Sequence, residues 1–188
     1  LDDFVRIYFQ KSEAGGSPSA EYARLLEMAT RYESNGEIEK AETCAQRLIQ
    51  LAPFASGPWE LLATLRLLQR RPEEAMKFYQ TALRLEPENI TARGKLVTLL
   101  GSNGRLTDAE VCLFDCPQNQ RDEPSWLFAH GHLLLHRRDY ALAKSEFLKC
   151  VNRGYMMRLC YQFLAITAAG LGQANEEREY QKRAQEFV

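Results

Sequence analysis

Residues 56–89 read SGPWELLATLRLLQRRPEEAMKFYQTALRLEPEN, and this stretch decides the fold. Trp59, Leu62, Ala63, Leu65 and Leu67 recur at helical spacing and predict a helix over 56–69. Arg70–Arg71–Pro72 reads as a turn. Ala75, Met76, Tyr79, Ala82 and Leu83 then mark one face of a second helix over 73–85. Pro87 stops it, because proline lacks the N–H a helix interior needs and disfavours helical geometry in the residue before it.

Working outward, the same pattern returns every 34 residues. Ala41, Ala75, Ala109 and Ala143 are one step apart, and so are the small residues Ala29, Ala63, Val97, Gly131 and Ala165. Met28, Leu62 and Leu96 follow the step to Leu164, with His130 interrupting the set. Gly36, Gly104 and Gly172 share it with Arg70 and Arg138 between them, and Pro53 repeats at Pro87. Several residue classes keeping one period mark a repeat array. Two antiparallel helices approach closely only where one offers a small side chain, and large residues such as Trp59, Tyr79 and Phe147 fill the space beside them. A lone helix pair cannot cover its own apolar face, so neighbouring pairs must stack.

The order Trp59, Leu62, Ala63, Ala75, Tyr79, Ala82, Pro87 resembles the tetratricopeptide repeat family. The resemblance implies an all-α fold: a right-handed superhelical solenoid of about five helix-turn-helix units, near 22–55, 56–89, 90–123, 124–157 and 158–188. Residues 1–21 read as an N-terminal helix and linker. Phe4, Val5, Ile7, Tyr8 and Phe9 precede Gly15–Gly16–Ser17–Pro18, as a remnant of an earlier repeat or a docking helix would. The third unit departs from the pattern. Pro117 cuts its second helix, Arg121 stands where a proline is expected, and a longer connector is predicted there. The last helix is polar, with Glu177 and Gln181 replacing the alanine and aromatic of earlier units, as a solvated terminal repeat requires. The chain begins with Leu1 rather than Met, which points to sequence upstream.

Lys plus Arg number 24 and Asp plus Glu 25, a net charge of -1, which gives no electrostatic reason for a nucleic-acid partner. No apolar run reaches the roughly 18 residues a membrane span needs, so no membrane partner is expected. Five cysteines, Cys44, Cys112, Cys116, Cys150 and Cys160, are an odd count set in amphipathic stretches. They read as reduced core thiols in a cytoplasmic protein. GxSxG, HExxH, GxxxxGK[ST] and GxGxxG are all missing from the sequence. The expectation is therefore a non-enzyme without cofactors. Cys112, Cys116, His130, His132 and His136 lie on adjacent helices, but their faces diverge and no metal site is expected.

The resemblance implies that partners lie along the first helix of each pair. The 34-residue step then marks Thr30, Thr64, Lys95, Thr98, Phe128, His132, Phe163 and Ile166 as the partner-binding groove. The heat-shock chaperone adaptors of the family grip a C-terminal carboxylate with lysine, asparagine and arginine. Here most of those positions hold leucine, threonine, glutamate or glycine, leaving Lys95 alone. The expected partner is a protein or peptide with apolar anchors, held by a scaffold, adaptor or chaperone-like subunit. The alternative is a regulatory or targeting C-terminal domain of a larger enzyme. Apolar residues 4–9 also suggest self-association through the N-terminal helix.

Overall fold

The computed structural model describes residues 18–187, so the helix expected over residues 4–9 lies outside the described residues. The described residues divide into two compact units, one ending at Leu85 and the next beginning at Glu86. The first holds α1 (Pro18–Ser34), α2 (Ile38–Leu51), α3 (Gly57–Leu68) and α4 (Pro72–Leu85). The second holds α5 (Ile90–Ser102), α6 (Leu106–Phe114), a short 3-10 turn (Gln118–Gln120), α7 (Pro124–His136), α8 (Tyr140–Asn152), α9 (Met157–Gly170) and α10 (Ala174–Gln185). Among the described residues there are helices and no strands. None of the helices is long and apolar enough to cross a membrane.

The repeat is visible in burial. Ala41, Ala75, Ala109 and Ala143 have no exposed surface, and neither do Ala29, Ala63 and Val97. Gly131, at the same step as those three, packs so closely that a Cβ would come within 3.0 Å of the Phe147 ring. Alanine and glycine occupy these positions because the facing helix leaves no room for more.

The turns within hairpins repeat as closely. Gly36, Arg70, Gly104, Arg138 and Gly172 all take positive φ, at 74°, 58°, 75°, 62° and 73°. The N–H of the following residue returns to the carbonyl five residues back: Glu37 to Tyr32, Arg71 to Arg66, Arg105 to Leu100, Asp139 to Leu134 and Gln173 to Ala168, at 2.8–2.9 Å. This is the Schellman ending, in which a left-handed residue satisfies the last free carbonyls of a helix. Pro72, read as part of the turn, is instead the first residue of α4. Its missing N–H costs nothing there and its φ suits the helix start.

Unit one is tied by a buried cation. Arg66 donates to both carboxylate oxygens of Glu42 on α2, at 2.7 and 2.9 Å, to Gln69 at 2.9 Å and to Glu74 at 3.3 Å. Its guanidinium also lies 5.7 Å from the centre of the Phe78 ring. Hydrogen bonding to Arg66 holds Glu42 below the usual carboxylate range. Below this pair Ala41 and Ala45 pack on Leu62 and Leu65, flanked by Trp59 and Phe78.

Unit two is centred on aromatics. Phe147 stacks on Phe163 at 5.2 Å, and Phe128 meets both edge-on at 5.8 and 5.7 Å. Trp126 donates from its indole N–H to the Leu113 carbonyl at 3.1 Å, and Arg93 donates to Cys112 and Pro87 carbonyls. The expected longer connector occupies residues 115–123. Arg121, at the repeat position where Pro53 and Pro87 stand, donates to the Phe114 carbonyl at 3.0 Å and lies over the Phe114 ring.

Two outcomes follow. Arg138→Gly removes Cβ strain at a left-handed turn and should raise stability by about 0.5–1 kcal/mol in urea unfolding, after the entropy glycine costs. Arg66→Leu leaves Glu42 without its partner and should lower stability by about 3 kcal/mol, whereas pairing it with Glu42→Leu should recover most of the loss in the same measurement.

Candidate functional site

Each unit presents the first helix of its hairpins as a candidate binding face. In unit one this face includes Thr30 on α1 and Thr64 on α3. In unit two it includes Lys95 and Thr98 on α5, Phe128 and His132 on α7, and Phe163 and Ile166 on α9.

The three threonines share one conformation. Each hydroxyl donates to the carbonyl four residues back: Thr30 to Leu26, Thr64 to Glu60 and Thr98 to Gly94, at 2.9, 3.0 and 2.9 Å. Their hydrogens are spent on their own helices, and Thr64 also bonds the Tyr79 hydroxyl at 3.3 Å, so a partner meets lone pairs at Thr30 and Thr98 and methyl groups at all three.

Phe128 and His132 behave differently from an open lining. Phe128 is 7% exposed and His132 is 5% exposed. Phe163 is half-buried over both, with its ring 5.2 Å from that of His132. These three side chains join the core of unit two. The surface left open is carried by Lys95 and by Ile166, which is 50% exposed, with Leu159 a helical register away on α9. Sequence reasoning marked Phe128 and His132 because their repeat position matches Thr64 and its neighbours. It missed that α9 lies across that position.

His132 has an unusual environment. Its Nδ1 is buried with no hydrogen-bond partner, the His136 ring lies 4.6 Å away, and Gly101 faces the Nδ1 side. Burial first, and the neighbouring His136 charge second, push its pKa down to about 4. His130 points elsewhere. Its ring lies tilted against Trp126 at 4.6 Å, beside Phe114, and its Nδ1 lies 3.7 Å from a Glu146 oxygen. Burial pushes Glu146 upward, but His130 and Lys149 outweigh it and hold the carboxyl below its usual value. His130 therefore diverges from the His132–His136 pair, and among the described residues no group of three or more His, Cys, Asp or Glu could hold a metal ion.

The thiols are unpaired in disulfides. Cys44, Cys150 and Cys160 are buried, while Cys112 and Cys116 are half-buried. Burial raises the thiol pKa of Cys44 and Cys112, and hydrogen bonding to Cys150 together with burial raises that of Cys160. The hydrogen bond with Cys160 lowers the thiol pKa of Cys150 instead, but that sulfur is fully buried; raised or inaccessible thiols are poorly suited to act as thiolate nucleophiles.

Comparison with known proteins agrees with this geometry. Residues 66–129 match the sequence profile of the Tetratricopeptide repeat family. No curated protein sequence matches the chain. The fold is similar to that of Pseudomonas aeruginosa PilF, with TM-score 0.73 and 16% identity over 90% of this chain and 77% of that one. It is also similar to PilW, described as a widely conserved type IV pilus biogenesis factor, with TM-score 0.73, 14% identity, and 88% and 76% of the two chains covered. A thermophilic TPR protein of Thermus thermophilus matches with TM-score 0.73 and 15% identity over 88% and 90%. At such identities the likeness establishes the fold alone.

The His132 environment has a measurable consequence. The folded state keeps this imidazole neutral down to about pH 4, whereas an unfolded chain protonates it near pH 6.5. Between those values the unfolded state holds the extra proton, so stability falls as pH drops from about 6.5 to about 4, by at most about 3 kcal/mol from this group. His132→Leu should flatten that part of the stability profile in urea unfolding at a series of pH values. An unchanged slope would remove His132 as its cause.

Proposed function

We propose that this tetratricopeptide-repeat chain is a non-catalytic protein-interaction module, a scaffold, adaptor or chaperone-like subunit that holds a segment of another protein against the first-helix face of its hairpins. The observation that carries this reading is Ile166, half exposed on α9 beside half-buried Phe163, with Leu159 also open to solvent on the same helix. Apolar side chains held open on a rigid helix are suited to anchoring the apolar residues of a partner segment. Lys95 on α5 adds a positive charge to the same unit. Thr30 and Thr64 are the corresponding contacts of unit one.

The non-catalytic reading is supported by how the polar side chains are used. Arg66 is bound to carboxylates, His130 packs in an aromatic cluster, and the thiols that titrate abnormally are mostly held above their usual range. The same unpaired thiols support a cytoplasmic setting.

The test is affinity capture from the source cell with the wild type beside a Lys95→Glu, Ile166→Glu double variant, whose helicity is checked by circular dichroism. Both positions are exposed, whereas a charge at buried Phe128 would disturb the core. Partners should be captured by the wild type and lost by the folded variant. Equal capture by both would refute the assignment of partner binding to this face.

A further inference from the structure

The outward side of α9 and α10 carries an open groove of about 490 Å³. Its lining falls at the 34-residue step from residues that α9 itself covers. Gln162, Glu177 and Gln181 stand where Phe128, Ala143 and Phe147 stand one repeat earlier, and Ile166 where His132 stands. The groove is therefore a helix seat of the same design as the one α9 fills on α7 and α8, with amides in place of its two phenylalanines and a carboxylate in place of its alanine. Gln181 donates to Glu177 at 3.0 Å, but an apolar helix would still bury their remaining polar capacity and the Gln162 amide, so an occupant that hydrogen-bonds suits the seat.

A helix with that chemistry lies at the other end of the described chain. The α9 residues set into their seat are buried Cys160, Leu164 and Thr167 and half-buried Phe163. The matching positions of α1, four repeats earlier, are Arg24, Glu27, Met28 and Arg31, all exposed. Phe163 packs on Phe147 and Phe128, so the same register sets Glu27 against Gln181 and Gln162, whose amide N–H groups can donate to its carboxylate. Gly170 of α9 lies against Tyr140 of α8, which places Thr167 one turn on, beside Ala143. Arg31 accordingly meets Glu177. Met28, 44% exposed, takes the position of fully buried Leu164. We propose that the chain self-associates head to tail, the outward face of α1 in one copy seating in the α9–α10 groove of the next.

The register makes one unfavourable meeting. Cys160 lies beside Cys150, whose thiol donates to the Pro124 carbonyl, so Arg24 comes near Arg158. Both are exposed at the groove's end, where solvent weakens the repulsion. An interface that joins two different surfaces leaves a free seat and a free α1 on a pair of copies, so assembly proceeds past a dimer, to a ring or a filament. Ile166 belongs both to this groove and to the face assigned to partner binding, whereas Arg24, Glu27 and Gln181 enter only the self-association contact, so substitutions at those three test it apart from partner capture.

Sedimentation of the full chain over a wide concentration range tests the proposal. Weight-average mass should climb past that of a dimer. Glu27→Lys and Gln181→Glu should each weaken association about tenfold. Mixing the two should restore it, since the new lysine then faces the new glutamate. Arg24→Glu should strengthen association, and because it gains rather than loses, its result cannot be ascribed to unfolding. A monomer at every concentration, a closed dimer, or association indifferent to these substitutions would each overturn the assignment.

Discussion

The structure depends on how closely two helices of a hairpin can cross. Side chains beyond Cβ would hold the axes apart, so the crossing points carry Ala41, Ala75, Ala109 and Ala143, none with exposed surface. Once those contacts are made, the large residues beside them have one place to go. Tyr79 and Phe147 fill the space next to Ala75 and Ala143 and are almost wholly buried. The turn must then reverse the chain within a few residues. The left-handed residue at 36, 70, 104, 138 and 172 does so while satisfying the end of the preceding helix. Crossing, filling and turning form one geometric unit, and the 34-residue period is its length in sequence.

The two units stabilise this geometry with different chemistry. Unit one uses a nearly buried guanidinium, Arg66, shared between Glu42, Gln69 and Glu74. Such a pair specifies which helices meet more than it adds net stability, because desolvation offsets much of the attraction. Unit two uses stacked and edge-on aromatic rings around Phe128, Phe147 and Phe163, which bury large apolar area without a desolvation cost. That difference governs the candidate site: aromatic side chains expected in an open groove are drawn into the core of unit two, while Lys95 and Ile166 remain exposed.

Much of the fold was legible in the sequence because its signals are local and repeated. Alanine at a fixed step, glycine or a substitute at the turn, and proline after a helix each report a backbone requirement. The site was less legible. Phe128, His132 and Ile166 occupy related repeat positions, yet two are buried and one is half exposed. Their difference comes from what lies outside them. Helix α9 covers Phe128 and His132, while Ile166 stands on the outward side of α9. Periodicity assigns a residue to a face of its own helix but says nothing about which neighbour covers that face.

The sequence by itself therefore determined the all-helical hairpin pattern, its period, and the positions of the close crossings and turns, because each follows from the size or backbone freedom of single residues. It also indicated that the second helix of the third unit is cut short, since Pro117 removes a donor wherever it stands. Only the tertiary structure decided that Arg66 binds Glu42 across two hairpins, and that His132 is buried with an unpartnered nitrogen. These outcomes depend on groups distant in sequence being brought to within a few ångströms, and no local pattern encodes that distance.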